Sequence, residues 1–468
     1  MLDRRVIRDL ERQVDSPHVY TRPADLAAYA YDAWGASGER HVPDAVVFPG
    51  TTAEVAGAVE VCAYHGVPVI PRGAGTGYAA GAAPMHGGVV LSLVRMHRVL
   101  GVEPEAMRLH AEAGALTRSV HQAASAQGMY YPPDPGSSTT CTIGGNVACN
   151  AAGPHTLRYG VTSDFVVGAT AVTPAGEVVR LGEGGDRTLD ALFALLCGSE
   201  GTLAVVTEVL LRLLPAPASR STLAATFSTM ERAAGAVAGI AAAGIVPAAL
   251  EFLDAGAVQA VRRAGGGEIG GDAGALLLIE IEGDESAVAA EVDAARGAAT
   301  KAGAADVEVA ADAAQAARLW AARKAVSAAV AKVMIGKVNE DVVVPRDRIA
   351  ELVAKTRDLG TQHQLPVVNF GHLGDGNLHA TFLMDPRLAG ERERAEAAAG
   401  DLFETVLAMG GSLSGEHGVG QAKLPYVERQ LGAGGVELMR RLKTTLDPRD
   451  TLNPGKKIPA ATLLAAVH

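Results

Sequence analysis

The chain has 468 residues, 48% of them hydrophobic and only 4% aromatic, with a formal charge of −11. That length exceeds one ordinary domain and predicts two or three. The acidic balance, with no basic stripe to neutralise phosphates, argues against a nucleic-acid partner, and any anionic ligand would have to be met by a local cation.

The opening MLDRRVIRDLERQV is charged throughout and lacks the apolar stretch of a secretory signal. The longest weakly polar run, 235–250, contains Pro247 and falls short of a membrane span, so no transmembrane segment is expected. Cys62, Cys141, Cys149 and Cys197 show no C-x-x-C spacing, which argues against a disulfide scaffold or an iron–sulfur cluster. These features predict a cytoplasmic protein, with peripheral attachment to the inner face of the membrane left open.

Residues 1–40 carry charges at helical spacing and predict an N-terminal helical segment. From Ala45 the pattern reads strand, turn, helix, strand, glycine-rich loop. Thr51 and Thr52 ahead of Glu54 mark a helix start, and Val67–Ile70 forms a short apolar strand ending at Pro71. Further strands are expected at Val89–Leu93, Arg108–Ala113, Phe165–Val172, Val178–Leu181 and Leu203–Leu214. Pro215 and Pro217 then mark a domain boundary. Beyond them, strand-like runs at Thr222–Phe227, Ala249–Leu253, Ala275–Glu282, Val307–Ala310, Lys337–Val344, Val367–Asn369 and His379–Leu383 alternate with Ala-rich helical stretches. This predicts an α+β domain with an antiparallel sheet. From Gly432 the chain turns helical and stops at LDPRDTLNPGKK. The expected divisions are 1–40, 41–217, 218–450 and a returning segment, 451–468.

Two loops are built for close backbone approach. PRGAGTG (71–77) follows a strand, and its glycines let N–H groups converge on an anion, although a tight turn explains it about as well. Tyr78 stands where a G-x-G-x-x-G fingerprint needs its last glycine, so this is no dinucleotide motif of that kind. PPDPGSSTTCTIGGNVACNAAG (132–153) has many backbone donors and almost no charge, which fits contact with a bulky ligand better than a linker. Near the other end, His372 and His379 in GHLGDGNLH lie seven residues apart, a spacing that alone is no metal signature. Glu416 and His417 in SGEHGVG, flanked by Gly415 and Gly418, change the odds: two histidines and a glutamate are metal-ligand types. A further histidine is the usual base near neutral pH.

These segments, with RYGVTSDFVVG, GSEGTLAVVTEV and LNPGK, occur in the order seen in the FAD-linked D-2-hydroxy-acid dehydrogenase family, which the chain resembles over about residues 20–458. That family includes D-lactate dehydrogenases, the D-subunit of glycolate oxidase and D-2-hydroxyglutarate dehydrogenase. The resemblance implies a two-part FAD-binding domain of the vanillyl-alcohol-oxidase or PCMH type under a C-terminal α+β cap. It implies that Pro71, Arg72, Gly73, Ala74, Gly75, Thr76 and Gly77 wrap the pyrophosphate. Pro135, Ser138, Thr142, Gly144, Gly145, Asn146 and Gly153 would line the flavin and ribityl chain. Glu200, Gly201 and Val206 would lie near the adenosine end, and Asn453 would return toward the flavin. Covalent attachment often uses a histidine in the first loop; PRGAGTG has none, which implies non-covalent FAD.

By the same resemblance His372, His379 and Glu416 hold a divalent metal, zinc first with manganese or iron as alternatives. His417 is the catalytic base, and Arg323 and Lys337 meet the substrate carboxylate. Thr381 departs from the family's asparagine, which leaves substrate size open. The implied reaction oxidises a D-2-hydroxy acid, D-lactate first and then glycolate or D-2-hydroxyglutarate. Hydride passes to the flavin, and electrons go on to a separate acceptor: a quinone, a cytochrome, an electron-transfer flavoprotein or an iron–sulfur subunit. A homodimer is compatible with the sequence. A non-redox flavin transferase, such as alkylglycerone-phosphate synthase, and a flavin-free metal hydrolase are the competing classes.

Overall fold

The computed structural model describes residues 2–34, 41–182, 187–265 and 270–460. The sequence expectations for 35–40 and 461–468 lie outside the described residues. The chain divides into two compact units: Met1–Ala152, Val161–Ala216 and Glu416–His468 form one, and Gly153–Gly160 with Pro217–Gly415 form the other.

In the first unit, helix α1 (Arg4–Val14) starts where the Asp3 carboxylate accepts the Arg5 N–H at 2.7 Å. It buries Val6, Leu10 and Val14, one residue per turn along a single face. Helix α2 (Thr52–His65) is capped by the Thr51 hydroxyl, which accepts the Glu54 N–H at 3.2 Å, and stops at Gly66 in the left-handed region. Val55, Ala58, Val59 and Cys62 face inward at helical spacing. Both helices feed a core built on a sheet of β1 (Val19–Tyr20), β2 (Ala45–Val47), β3 (Val69–Arg72) and β4 (Val89–Ser92). The order is β1-β2-β4-β3, and β2, β3 and β4 run parallel.

Ala45, Val47, Val89 and Leu91 enter that core, while Val46, Ile70 and Val90 fill a second one on the opposite face. A strand buried on both faces reads as an unbroken apolar run, as these do. Each fully buried large aliphatic residue contributes roughly 1.5–3 kcal/mol. Strand β3 runs past Pro71, where the sequence suggests it should stop. It lies at the end of the order, where a missing N–H is tolerated. A second, antiparallel sheet joins β5 (Val99–Glu103), β6 (Arg108–Glu112), β7 (Val166–Val172), β8 (Val178–Leu181) and β9 (Val205–Arg212) in the order β5-β6-β9-β7-β8. Helix α3 (Ile143–Cys149) opens inside the second glycine loop.

The second unit is a seven-stranded antiparallel sheet: β10 (Ser219–Phe227), β11 (Ala249–Asp254), β12 (Ala275–Gly283), β13 (Asp306–Val309), β14 (Gly336–Val343), β15 (Val367–His372) and β16 (Asn377–Met384). Their order is β13-β10-β12-β11-β15-β16-β14. Leu253, Leu276, Val368 and Leu383 pack on one face against α5 (Ala255–Arg263) and α7 (Ala313–Val333), while α4 (Met230–Ala242) pairs with α6 (Glu285–Lys301). Two more helices in this unit, α8 (Ile349–Gln362) and α9 (Glu391–Ala408), pair with each other. Among the described residues, no helix is long and apolar enough to cross a membrane. The long α10 (Leu424–Leu446) belongs to the first unit and contains a non-helical Gly432, where the sequence suggests a helix start.

Candidate functional site

Register on the seven-stranded sheet sets the polar residues of the second unit. Glu251 pairs with His372, Phe370 with His379, His379 with Asp341, Thr381 with Asn339, and Leu383 with Lys337. Side chains alternate along a strand and paired residues share a face, so all of these lie on one side, the side that carries α5 and α7. His372 is the last residue of β15 rather than part of a turn, and His379 sits early in the adjacent β16. The hairpin therefore folds them together: both are buried, the ring centroids are 5.3 Å apart, and each offers a ring nitrogen within 4.8 Å of the other.

Behind them lies a residue to which the sequence reading gave no role. Glu251 is fully buried; one carboxylate oxygen takes the His372 Nδ1–H and the other accepts from Arg323 Nε at 2.6 Å. Because a carboxylate only accepts, it is the Nδ1 of His372 that carries the proton in this contact. Burial pushes the Glu251 carboxyl pKa up, and His372 and Arg323 outweigh that, so it ends below the usual carboxylate value. Arg323 also lies over the Phe370 ring at 4.9 Å, and Phe370 lies 5.1 Å from the His379 ring. Arg323, Glu251, His372, His379 and Phe370 thus form a closed ring of contacts. Lys337 shares the face, and burial lowers its pKa. The Thr381 hydroxyl donates to Asn339 Oδ1 at 2.7 Å.

Asp341, also fully buried, accepts from Asn377 Nδ2 at 2.6 Å, Ser414 Oγ at 3.1 Å and the Gly415 N–H at 2.8 Å. It lies 3.9 Å from His379 Nδ1. A Cβ on Gly415 would collide with the Asn377 amide, so only glycine lets the backbone approach this closely. Glu416 is the next residue in the chain. Gly153 also belongs to this unit, where its N–H meets Thr156 Oγ1 at 3.0 Å.

In the first unit the two glycine loops touch. A Cβ on Gly73 would strike the hydroxyl of Thr142, the residue that caps α3 by accepting the Gly145 N–H at 3.3 Å. Gly144 N–H donates to Ala113 O and Ser138 N–H to Pro135 O, both at 2.8 Å, and Asn146 Nδ2 donates to Thr117 Oγ1 at 2.8 Å. Arg72 donates to Ala82 O at 3.1 Å and lies over the Tyr29 ring; its guanidinium closes against Gly75. Gly201 lies against the Pro71 ring, and Val206 is buried within β9.

The Glu200 carboxylate accepts the N–H groups of Val419 at 2.8 Å and Gly420 at 2.6 Å, so it holds the segment following His417. Tyr78, the residue that spoils the fingerprint, lies 5.0 Å from the His417 ring at an interplanar angle of 31°. Asn453 donates to Gly81 O at 2.9 Å and Glu200 O at 2.7 Å. Its Oδ1 is buried and accepts no hydrogen bond among the described residues, which suits a ligand N–H such as that of a flavin ring. With the glycine cradle, that orphaned oxygen fits a flavin nucleotide. The His372–His379 pair, with Nδ1 of His372 already committed, fits a nitrogen-ligated divalent cation.

The sequence held a signal for Glu251: a carboxylate inside the apolar run ALEFL must find a partner if the strand is buried. Asp341 in KVNEDVVVP offered a similar one. The Tyr78 contact had none, because it joins residues far apart in the chain.

Residues 43–182 match the FAD binding domain family, and 216–457 match the C-terminal domain of FAD linked oxidases. The chain is 38% identical over 437 residues to glycolate oxidase subunit GlcD of Bacillus subtilis (strain 168), covering 92% of each chain. It is 36% identical over 424 residues to D-lactate dehydrogenase of Anaerostipes hadrus, covering 88% of this chain and 89% of that one. Among solved structures, p-cresol methylhydroxylase with substrate bound superposes with a TM-score of 0.81 at 16% identity, over 98% of this chain and 97% of that one.

Proposed function

This chain belongs to the FAD-linked D-2-hydroxy-acid dehydrogenase family, and from that membership we propose that it oxidises D-lactate to the 2-oxo acid. The observation that carries this reading beyond the family is the closed ring of Arg323, Glu251, His372, His379 and Phe370. It joins an arginine, which would meet the substrate carboxylate, to a pair of histidines of metal-ligand type within one unit.

FAD, when bound, supplies the acceptor for the α-hydrogen as hydride. A divalent ion held by His372, His379 and Glu416, zinc before manganese or iron, would supply a Lewis acid for the substrate oxygens. Arg323 presents its terminal nitrogens to the substrate carboxylate, because Nε is committed to Glu251. Lys337 adds a second cation, whose burial an incoming anion would offset. His417 takes the hydroxyl proton, with Tyr78 against its ring limiting how that ring turns. The FAD is held without a covalent bond, and its electrons leave to a separate carrier.

Glycolate is the second reading, favoured by the 38% identity to a glycolate oxidase subunit. The test is anaerobic mixing of flavin-loaded protein with D-lactate, L-lactate, glycolate and D-2-hydroxyglutarate, followed by acid precipitation of the enzyme. D-lactate should bleach the flavin fastest and L-lactate should not, and the flavin should appear in the supernatant. Faster bleaching by glycolate would make the second reading the right one. No bleaching by any of the four acids would reject the oxidation of 2-hydroxy acids altogether.

A further inference from the structure

We infer that Glu251 is a positioning residue that sets the metal-ligating histidine and the substrate-binding arginine with one carboxylate. This rests on the proposed roles of His372 and Arg323 and adds a residue that those roles do not name. Glu251 lies on β11, in register with His372 on the neighbouring strand, and is fully buried. Its two oxygens face two different donors, His372 Nδ1 and Arg323 Nε, the latter at 2.6 Å.

Both contacts are directional. The first fixes the His372 tautomer and ring plane, so that Nε2 is the atom offered to a metal. The second fixes the guanidinium by its inner nitrogen, so that the two outer nitrogens form the fork a carboxylate needs. A buried carboxylate with one donor would be satisfied electrostatically but would orient only one residue. With both, the distance between cation and metal ligand is set by a single planar group on a central strand. A glutamine of the same shape cannot reproduce this, since its amide nitrogen would confront one of the two donors.

The test uses the flavin-loaded full chain. Manganese affinity is measured by titration, pyruvate affinity by the change in flavin absorbance at saturating manganese, and thermal stability in parallel. Glu251→Gln should weaken manganese binding ~10–100-fold, the range for loss of an outer-shell partner. Pyruvate binding should weaken as well. A lower melting temperature with both affinities unchanged would reduce Glu251 to a structural residue and overturn the inference.

Should the variant fail to fold, the wild-type protein still decides. Nitrogen NMR with labelled histidine, assigned by comparison with His372→Gln, should show His372 protonated on Nδ1, and protonation on Nε2 would overturn the inference. If the wild type binds no manganese or zinc, the metal reading falls, while the tautomer and pyruvate measurements still judge Glu251.

Discussion

His417 is the residue for which the proposed chemistry makes the sharpest demand. A positioned base contributes ~10²–10⁴ in rate, so His417→Ala should slow anaerobic flavin reduction by that factor while pyruvate affinity stays within a few-fold. Stopped-flow absorbance measures the first and equilibrium titration the second. Reduction at nearly the wild-type rate would place the base elsewhere. Arg323 makes a different demand, because it holds Glu251 as well as offering a fork to substrate. Removing one partner of a buried ion pair typically costs 3–5 kcal/mol, so about that loss of stability should accompany any loss of binding by Arg323→Ala. Arg323 is visible in the sequence as a cation in LWAARKAV; its partner is not, because 72 residues separate them and only the fold closes the gap.

At the scale of elements, the end of the second unit's loop, at Ser414 and Gly415, is held by β14. Asp341 satisfies three donors, two of them in Ser414 and Gly415. Asp341→Asn turns one acceptor into a donor facing them, and each buried group so orphaned costs about 1–3 kcal/mol. The expected outcome is a lower thermal midpoint together with slower flavin reduction, read by calorimetry and stopped flow; unchanged reduction would free the loop from this anchor. The strands of this unit were largely legible, since Thr222–Phe227 and Ala275–Glu282 are apolar runs that fall inside β10 and β12. The end of β15 was not. Gly371 broke the pattern, so the expected strand stopped at Asn369, short of His372, yet glycine is there because a Cβ would run into the Asn377 carbonyl across the hairpin. The glycine loops were legible as places of close backbone approach, since Gly73 lies against the Thr142 hydroxyl and Gly144 against Ala113.

The whole first unit is completed by a returning segment. Val69 N–H donates to Thr451 O at 2.8 Å, Asn453 N–H to Val69 O at 2.7 Å, and Leu452 joins the α1–α2 core. Lys456 follows, buried, with Nζ donating to Ala80 O at 2.5 Å and Ala83 O at 2.8 Å. Burial pushes its pKa down from 10.5 to about 8, against the pull of Asp32 and Glu200. The unfolded chain therefore binds more protons than the folded one between those values, and Lys456 adds to stability as pH rises through that window, by roughly 3 kcal/mol in all. Chemical denaturation from pH 7 to 10.5 should show the wild type gaining on Lys456→Met, and a constant difference between the two would contradict the shift. Strand β3 thus receives its outer neighbour only after nearly the whole described chain has been made. On the ribosome, the glycine loop that follows this strand must wait through synthesis of the entire second unit before its own sheet edge is closed. A nascent or truncated chain lacking that segment should be unable to retain flavin, so cofactor capture would mark the chains whose synthesis has run far enough.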